Sequence, residues 1–139
     1  MNRRKNQRGS AFVESGFIFT VFAVMLLGIF DLGRAMFIHQ ALTERVRAAA
    51  RWGAANGASN ATGIRNMVLY NASTQPSGAT GYFGLASNQV VVTQSDSGTN
   101  SNRLTVSISG YQYKTVTPFF ARTITGPKIE VTMALGIFN

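Results

Sequence analysis

Apolar residues follow three different rhythms along this chain. From Ala11 to Phe30 they are almost continuous, and Glu14 is the single charge among them. From Leu32 to Trp52 they recur every three or four positions, at Leu32, Met36, Ile38, Leu42, Val46, Ala49 and Trp52, with Arg34, Gln40, Thr43, Glu44, Arg47 and Arg51 between them. That period marks one face of an amphipathic helix. The two stretches join without a breaker, so a single helix is expected from about Ala11 to Ala55, stopped by Asn56-Gly57. Ile64, Met67 and Val68 fall on one face of a short second helix ending near Asn71.

Beyond Asn71 the rhythm changes to two. Ser73 to Gly84 is rich in Ser, Thr, Gly and Pro and reads as loop. Gln89-Val90-Val91-Val92-Thr93 is β-branched and reads as a strand, and Ser95 to Asn102 as the turn after it. Leu104, Val106 and Ile108 alternate with Thr105, Ser107 and Ser109, which predicts one buried and one wet face. Gly110 marks a bend before a strand over Tyr111 to Thr117, which Pro118 ends. Phe119 and Phe120 are expected in the core or as a pad on the long helix. Ile129, Val131, Met133 and Leu135 alternate again in a last strand. The class is therefore α+β: a long N-terminal helix with a small antiparallel sheet packed on its outer half.

Charge sharpens the reading of the first rhythm. The formal net charge is +8, but Arg3, Arg4, Lys5 and Arg8 supply half of it ahead of the apolar run. The remainder, Ser10 to Asn139, holds nine basic residues against five acidic ones and has no basic patch interleaved with stacking aromatics, which argues against nucleic acid as a partner. A basic segment beside a membrane-length run is the positive-inside pattern of a cytoplasmic N-terminus. Ala11 to Phe30 would form a helix roughly 30 Å long, the thickness of a bilayer's hydrocarbon core. The uncharged part alone, Ser15 to Phe30, reaches only about 24 Å, so full insertion draws Glu14 to the hydrocarbon edge. A carboxylate there costs a few kcal/mol on insertion scales, of order 3 kcal/mol, unless it snorkels or finds a cation.

Three arrangements share such a start. A cleaved secretory signal has a shorter core and an Ala-x-Ala-like exit, whereas Asp31-Leu32-Gly33-Arg34 leads into more helix. An ordinary single-span anchor would leave Glu14 snorkelling to the interface. The third is a leader ending in glycine, removed before a helix whose fifth residue is glutamate. Arg8-Gly9-Ser10-Ala11-Phe12-Val13-Glu14, followed by Leu27-Gly28-Ile29-Phe30-Asp31-Leu32-Gly33-Arg34-Ala35, Gln40-Ala41-Leu42 and Ala48-Ala49-Ala50-Arg51-Trp52-Gly53-Ala54-Ala55, resembles the TadE-like minor pilins, or pseudopilins, of tight-adherence pili related to type IV pili. The likeness covers the first 57 residues and follows the rest in outline; Ser15 replaces a frequent aromatic and Asp31 a frequent glutamate.

That resemblance implies a pilin-like fold with a basic leader over 1–9, a transmembrane helix over 10–30, its amphipathic continuation over 31–57 and an exported α+β domain over 58–139. It implies cleavage between Gly9 and Ser10 by a prepilin peptidase at the bacterial inner membrane, with the N-terminus cytoplasmic and the C-terminal domain outside. The expected partners are other pilin or pseudopilin subunits bound through the helix, the peptidase, the inner-membrane assembly platform and the lipid bilayer. The cut would expose an α-amine on Ser10, and Glu14 could pair with that amine on a neighbouring subunit or its own, an interaction much stronger in a low dielectric than in water. Gly16, Gly28 and Gly33 are costly in a helix, at about 1 kcal/mol each relative to alanine, and suggest close packing or bending.

Catalytic chemistry has little to stand on. His39 is the only histidine and has no nucleophile nearby in sequence, so a surface or interface role is expected. Glu14, Asp31, Glu44, Asp96 and Glu130 are scattered, and the absence of cysteine excludes disulfides and thiolate ligands. Gly53 to Gly63 lacks the lysine of a phosphate loop, and Asp96-Ser97-Gly98-Thr99-Asn100 has one carboxylate where calcium needs several. Asn60-Ala61-Thr62 and Asn71-Ala72-Ser73 match the glycosylation acceptor pattern only as chance composition would. No catalytic residue, cofactor or metal is expected. The function anticipated is a structural subunit at the assembly or tip of an adhesive pilus; the alternative is a permanently anchored periplasmic binding module that uses the sheet and its loops.

Overall fold

The computed structural model describes residues 7–115 and 123–135, without the side chains of Gln7 and Arg8. Arg3, Arg4, Lys5, Pro118, Phe119 and Phe120 lie outside the described residues. Helix α1 runs unbroken over Gln7–Asn56, 50 residues and roughly 75 Å. Gly57, at φ +107°, ends it in a conformation that glycine adopts without steric cost. Helix α2, Ala61–Tyr70, is capped at both ends by asparagine. The Asn60 side chain accepts from the Gly63 amide at 2.9 Å, and Asn71 closes the helix in the left-handed conformation with its amide on the Met67 carbonyl.

Strands β1 (Val90–Ser95), β2 (Arg103–Ile108) and β5 (Ile129–Ala134) form an antiparallel sheet in the order β1-β2-β5, and β3 (Gln112–Tyr113) pairs with β4 (Ile124–Thr125) separately. The register stacks inward side chains in rungs: Val90, Ile108 and Ile129, then Val92, Val106 and Val131, then Gln94, Leu104 and Met133. α1 lies across β2 and β5, while α2 fills the space between α1 and β1. The core is Ile38, Leu42, Val46, Ala49 and Ala50 of α1, Ile64, Val68 and Leu69 of α2, and the inward residues of the sheet.

Gly53 explains how closely helix and domain meet. A Cβ there would stand 2.7 Å from Ile64 Cδ1 and 2.8 Å from Leu104 Cδ2, both on fully buried side chains. The small residues of this outer half of α1 therefore make room for the domain.

Three expectations are refined. The strand over Tyr111 to Thr117 is realised within the described residues only at Gln112–Tyr113, because Gly110, at φ +67°, turns the chain off the main sheet and the Tyr111 carbonyl is taken by the Gly126 amide at 2.8 Å. Ser107, expected on the wet face, is 5% exposed, since the central strand is flanked on that face by Val91 and Glu130. Leu32 and Met36, the first members of the amphipathic stripe, remain 63% and 57% exposed because the core begins only at Ile38.

The packing generates a pair of stability predictions. Leu42→Ala should cost about 2–5 kcal/mol by leaving a cavity under the sheet, and Gly53→Val about 1–3 kcal/mol by overpacking. Thermal melts of the full chain in detergent, followed by near-ultraviolet circular dichroism, check both; a wild-type midpoint for Gly53→Val would refute the close-approach role.

Candidate interaction site of the N-terminal helix

The opening part of α1 is largely exposed along its length, and contact with the described part of the domain's core begins near Ala35. Phe12, Phe17, Phe19, Phe22, Met25, Ile29 and Phe30 are all exposed, although residues of this size are rarely left in water as a continuous band. The helix is long and apolar enough to cross a membrane by length and composition. Its hydroxyls are dealt with internally: Ser15 Oγ donates to the Ala11 carbonyl and Thr20 Oγ1 to the Gly16 carbonyl, each at 2.8 Å. Such back-bonding lets a polar side chain sit in an apolar helix without an unpaired donor.

Gly9 and Ser10 lie in the opening turns of α1, exposed, with Glu14 one turn beyond Ser10 on the same side of the helix. Glu14 is itself exposed and has no ion pair within the chain among the described residues. Open space surrounds Gly16, Gly28 and Gly33, where an added Cβ would meet nothing within 4 Å, and the helix passes through all three without interruption. Among the described residues, none packs within 4 Å of a Cβ at these glycines or pairs its charge with this carboxylate.

Farther along, the helix meets a cluster of rings that sequence reasoning missed. His39 Nδ1 lies 3.0 Å from the Tyr113 hydroxyl, so the lone histidine is tied to the sheet side of the domain rather than to a nucleophile. Tyr113 packs edge-on against Tyr111 at 5.0 Å, and the Tyr111 hydroxyl donates to the Phe83 carbonyl at 2.9 Å. Phe83 then meets Phe37 of α1 edge-on at 6.2 Å, and the Arg45 guanidinium stands 4.3 Å over the Tyr82 ring. Phe83 has φ 52°, unusual for a bulky residue and a strain of order 1–2 kcal/mol. Only the tyrosine spacing, Tyr111-Gln112-Tyr113 on a short strand, hints at this in the sequence.

Burial pushes the Tyr111 phenol above its ordinary range, partly opposed by the Arg34 charge; burial and then Tyr111 push the Tyr113 phenol the same way. Elsewhere Glu44 and Arg47, three residues apart on α1, form an ion pair at 2.6 Å, exposed and worth about 0.3 kcal/mol. No group of three or more His, Asp or Glu side chains suited to a metal occurs among the described residues.

Residues 9–51 match the family model of TadE-like proteins. The match begins at the glycine before Ser10 and ends within α1, so it covers the exposed half of the helix and most of the half that carries the domain. No curated protein and no solved structure matches this chain.

Two measurements follow from the ring cluster. Tyr113→Phe should cost about 0.5–1.5 kcal/mol through loss of the His39 contact, read as a lowered melting midpoint. Because both phenols titrate above the unfolded value near 10.0, the folded state holds their protons longer; their contribution is complete below pH 10 and lost as pH rises through the folded values. Absorbance titration at 295 nm should show a late component that Tyr111→Phe with Tyr113→Phe removes.

Proposed function

We propose that this chain, whose residues 9–51 match TadE-like proteins, is a pseudopilin of a tight-adherence pilus, held in the inner membrane by α1 and built into the fibre through that helix. The observation that carries this reading is the apolar band from Phe12 to Phe37, whose large side chains, Phe12, Phe17, Phe22, Ile29 and Phe30 among them, stay exposed. Of the two carboxylates within it, Glu14 and Asp31, Glu14 has no ion pair within the chain among the described residues.

The mechanism is electrostatic as much as hydrophobic. A peptidase cutting between Gly9 and Ser10 leaves an ammonium one helical turn from Glu14. The bond lies in the first turns of α1, where the leading amides lack helical acceptors and fraying costs least. Glycine at the cut removes the side chain that would hinder the backbone from entering a protease groove. In a bundle of such helices, the ammonium of one subunit meets Glu14 of another, and an otherwise costly charge at the lipid boundary becomes a registration device. Gly16, Gly28 and Gly33, open in the single chain, let neighbouring helices approach. The basic leader, Arg3, Arg4, Lys5 and Arg8, holds the N-terminus cytoplasmic until processing. The role is structural, with the exported domain presented at the assembly site or tip.

Mass spectrometry of the mature N-terminus tests the reading directly: filament and membrane fractions should begin at Ser10, whereas an intact Met1 in both would support a permanently anchored module instead. Glu14→Gln should leave membrane insertion unchanged and reduce recovery of the subunit in sheared pili at least about tenfold, as expected for the loss of a charge pair in low dielectric. Gly28→Leu and Gly33→Leu should leave the melting midpoint of the exported domain unaltered and still lower incorporation.

A further inference from the structure

The exposed apolar surface does not stop where the uncharged run stops. Phe12 to Phe37 spans roughly 39 Å of helix, more than the about 30 Å of a hydrocarbon core. Leu32, Met36 and Phe37 carry the band past Asp31, and Phe83, 40% exposed, continues it onto the domain through its edge contact with Phe37. Phe83 is presented there by a strained backbone that the Tyr111 hydroxyl holds in place. Beside it lies an open recess of about 620 Å³ whose lining includes Arg34, Phe83, Asn88, Tyr111 and Lys114. Arg34 and Lys114 are exposed, and neither makes an ion pair among the described residues.

We propose that this edge of the domain, with the Phe37–Phe83 pair as its apolar tooth and Arg34 and Lys114 as its cations, docks into the headgroup layer of the membrane that α1 crosses and takes an anionic phospholipid headgroup in the recess. The argument is continuity and charge. Phe37 stands seven residues, about 10 Å, beyond Phe30 on a rigid helix, which places it at the headgroup level when the hydrocarbon begins near Glu14. Amphipathic tyrosine rings collect at that depth because one end stays apolar while the hydroxyl meets water and headgroups, and Tyr82 and Tyr111 stand beside Phe83. Two cations flanking the rings suit lipid phosphates. The contact would fix the height and tilt of the stored subunit, and extraction into a fibre must break it. This inference rests on α1 spanning a membrane, the reading given above.

Depth-resolved fluorescence separates the two. The full chain carries one tryptophan, Trp52, so probes are placed in a Trp52→Phe background and reconstituted in phosphatidylethanolamine and phosphatidylglycerol vesicles. Phe22→Trp, quenched by lipids brominated on the acyl chain, reports spanning. Phe83→Trp should be quenched by a headgroup nitroxide at least about twofold more than Trp52 of the unaltered chain, as should Phe37→Trp, which does not depend on the strained loop. Arg34→Gln with Lys114→Gln should abolish the increment in that quenching contributed by phosphatidylglycerol. Quenched Phe22→Trp with unquenched Phe37→Trp and Phe83→Trp overturns the docking and leaves spanning intact; unquenched Phe22→Trp overturns spanning itself. Protection of Phe83→Trp that disappears on dilution into excess lipid would assign the surface to a second copy and overturn the proposal. An increment unchanged by the double substitution would overturn the headgroup site.

Discussion

Everything in this molecule hangs on where the domain grips α1. Leu42, Val46, Ala49, Ala50 and Gly53 are buried beneath α2 and the sheet, and Ile38 is the last helix residue to enter that core. Before Ile38, Ala35 and Phe37 meet the described part of the domain, while Phe12, Phe17, Phe19, Phe22, Ile29 and Phe30 stay exposed. Burial worth about 1.5–3 kcal/mol for each large side chain is gained on one half of the helix and left unclaimed on the other. A soluble monomer would not keep that imbalance. A bilayer, which this helix is long and apolar enough to cross, would remove it.

This division gives the small residues two meanings that composition alone cannot separate. Gly53 is needed because Ile64 and Leu104 occupy the space a Cβ would take. Gly16, Gly28 and Gly33 are surrounded by nothing. A glycine in a helix interior costs about 1 kcal/mol relative to alanine, and no close approach by another described residue accounts for it at these three positions. Glu14 follows the same logic with charge in place of volume.

The ring cluster joins the two halves. Phe37, Tyr82, Phe83, Tyr111 and Tyr113 form a chain of contacts from α1 to the short β3–β4 pair, with His39 tied to Tyr113. This collar lies where α1 enters the core, next to Ile38.

Much of this architecture is local and therefore legible in the amino acids. Continuous apolarity from Ala11 to Phe30 demands a helix, Asn56-Gly57 ends it, Asn71 ends the second helix, and the period of two at Leu104, Val106 and Ile108 orients the central strand, because each depends only on neighbours a few residues away. The pairing of distant parts is different in kind. That Tyr113 would reach His39, that Phe83 would turn into a left-handed conformation to meet Phe37, that Ser107 would be covered and Leu32 left open, depends on which surfaces lie opposite once the sheet closes on the helix. Those surfaces belong to residues dozens of positions apart, and only the folded arrangement brings them within a few ångströms.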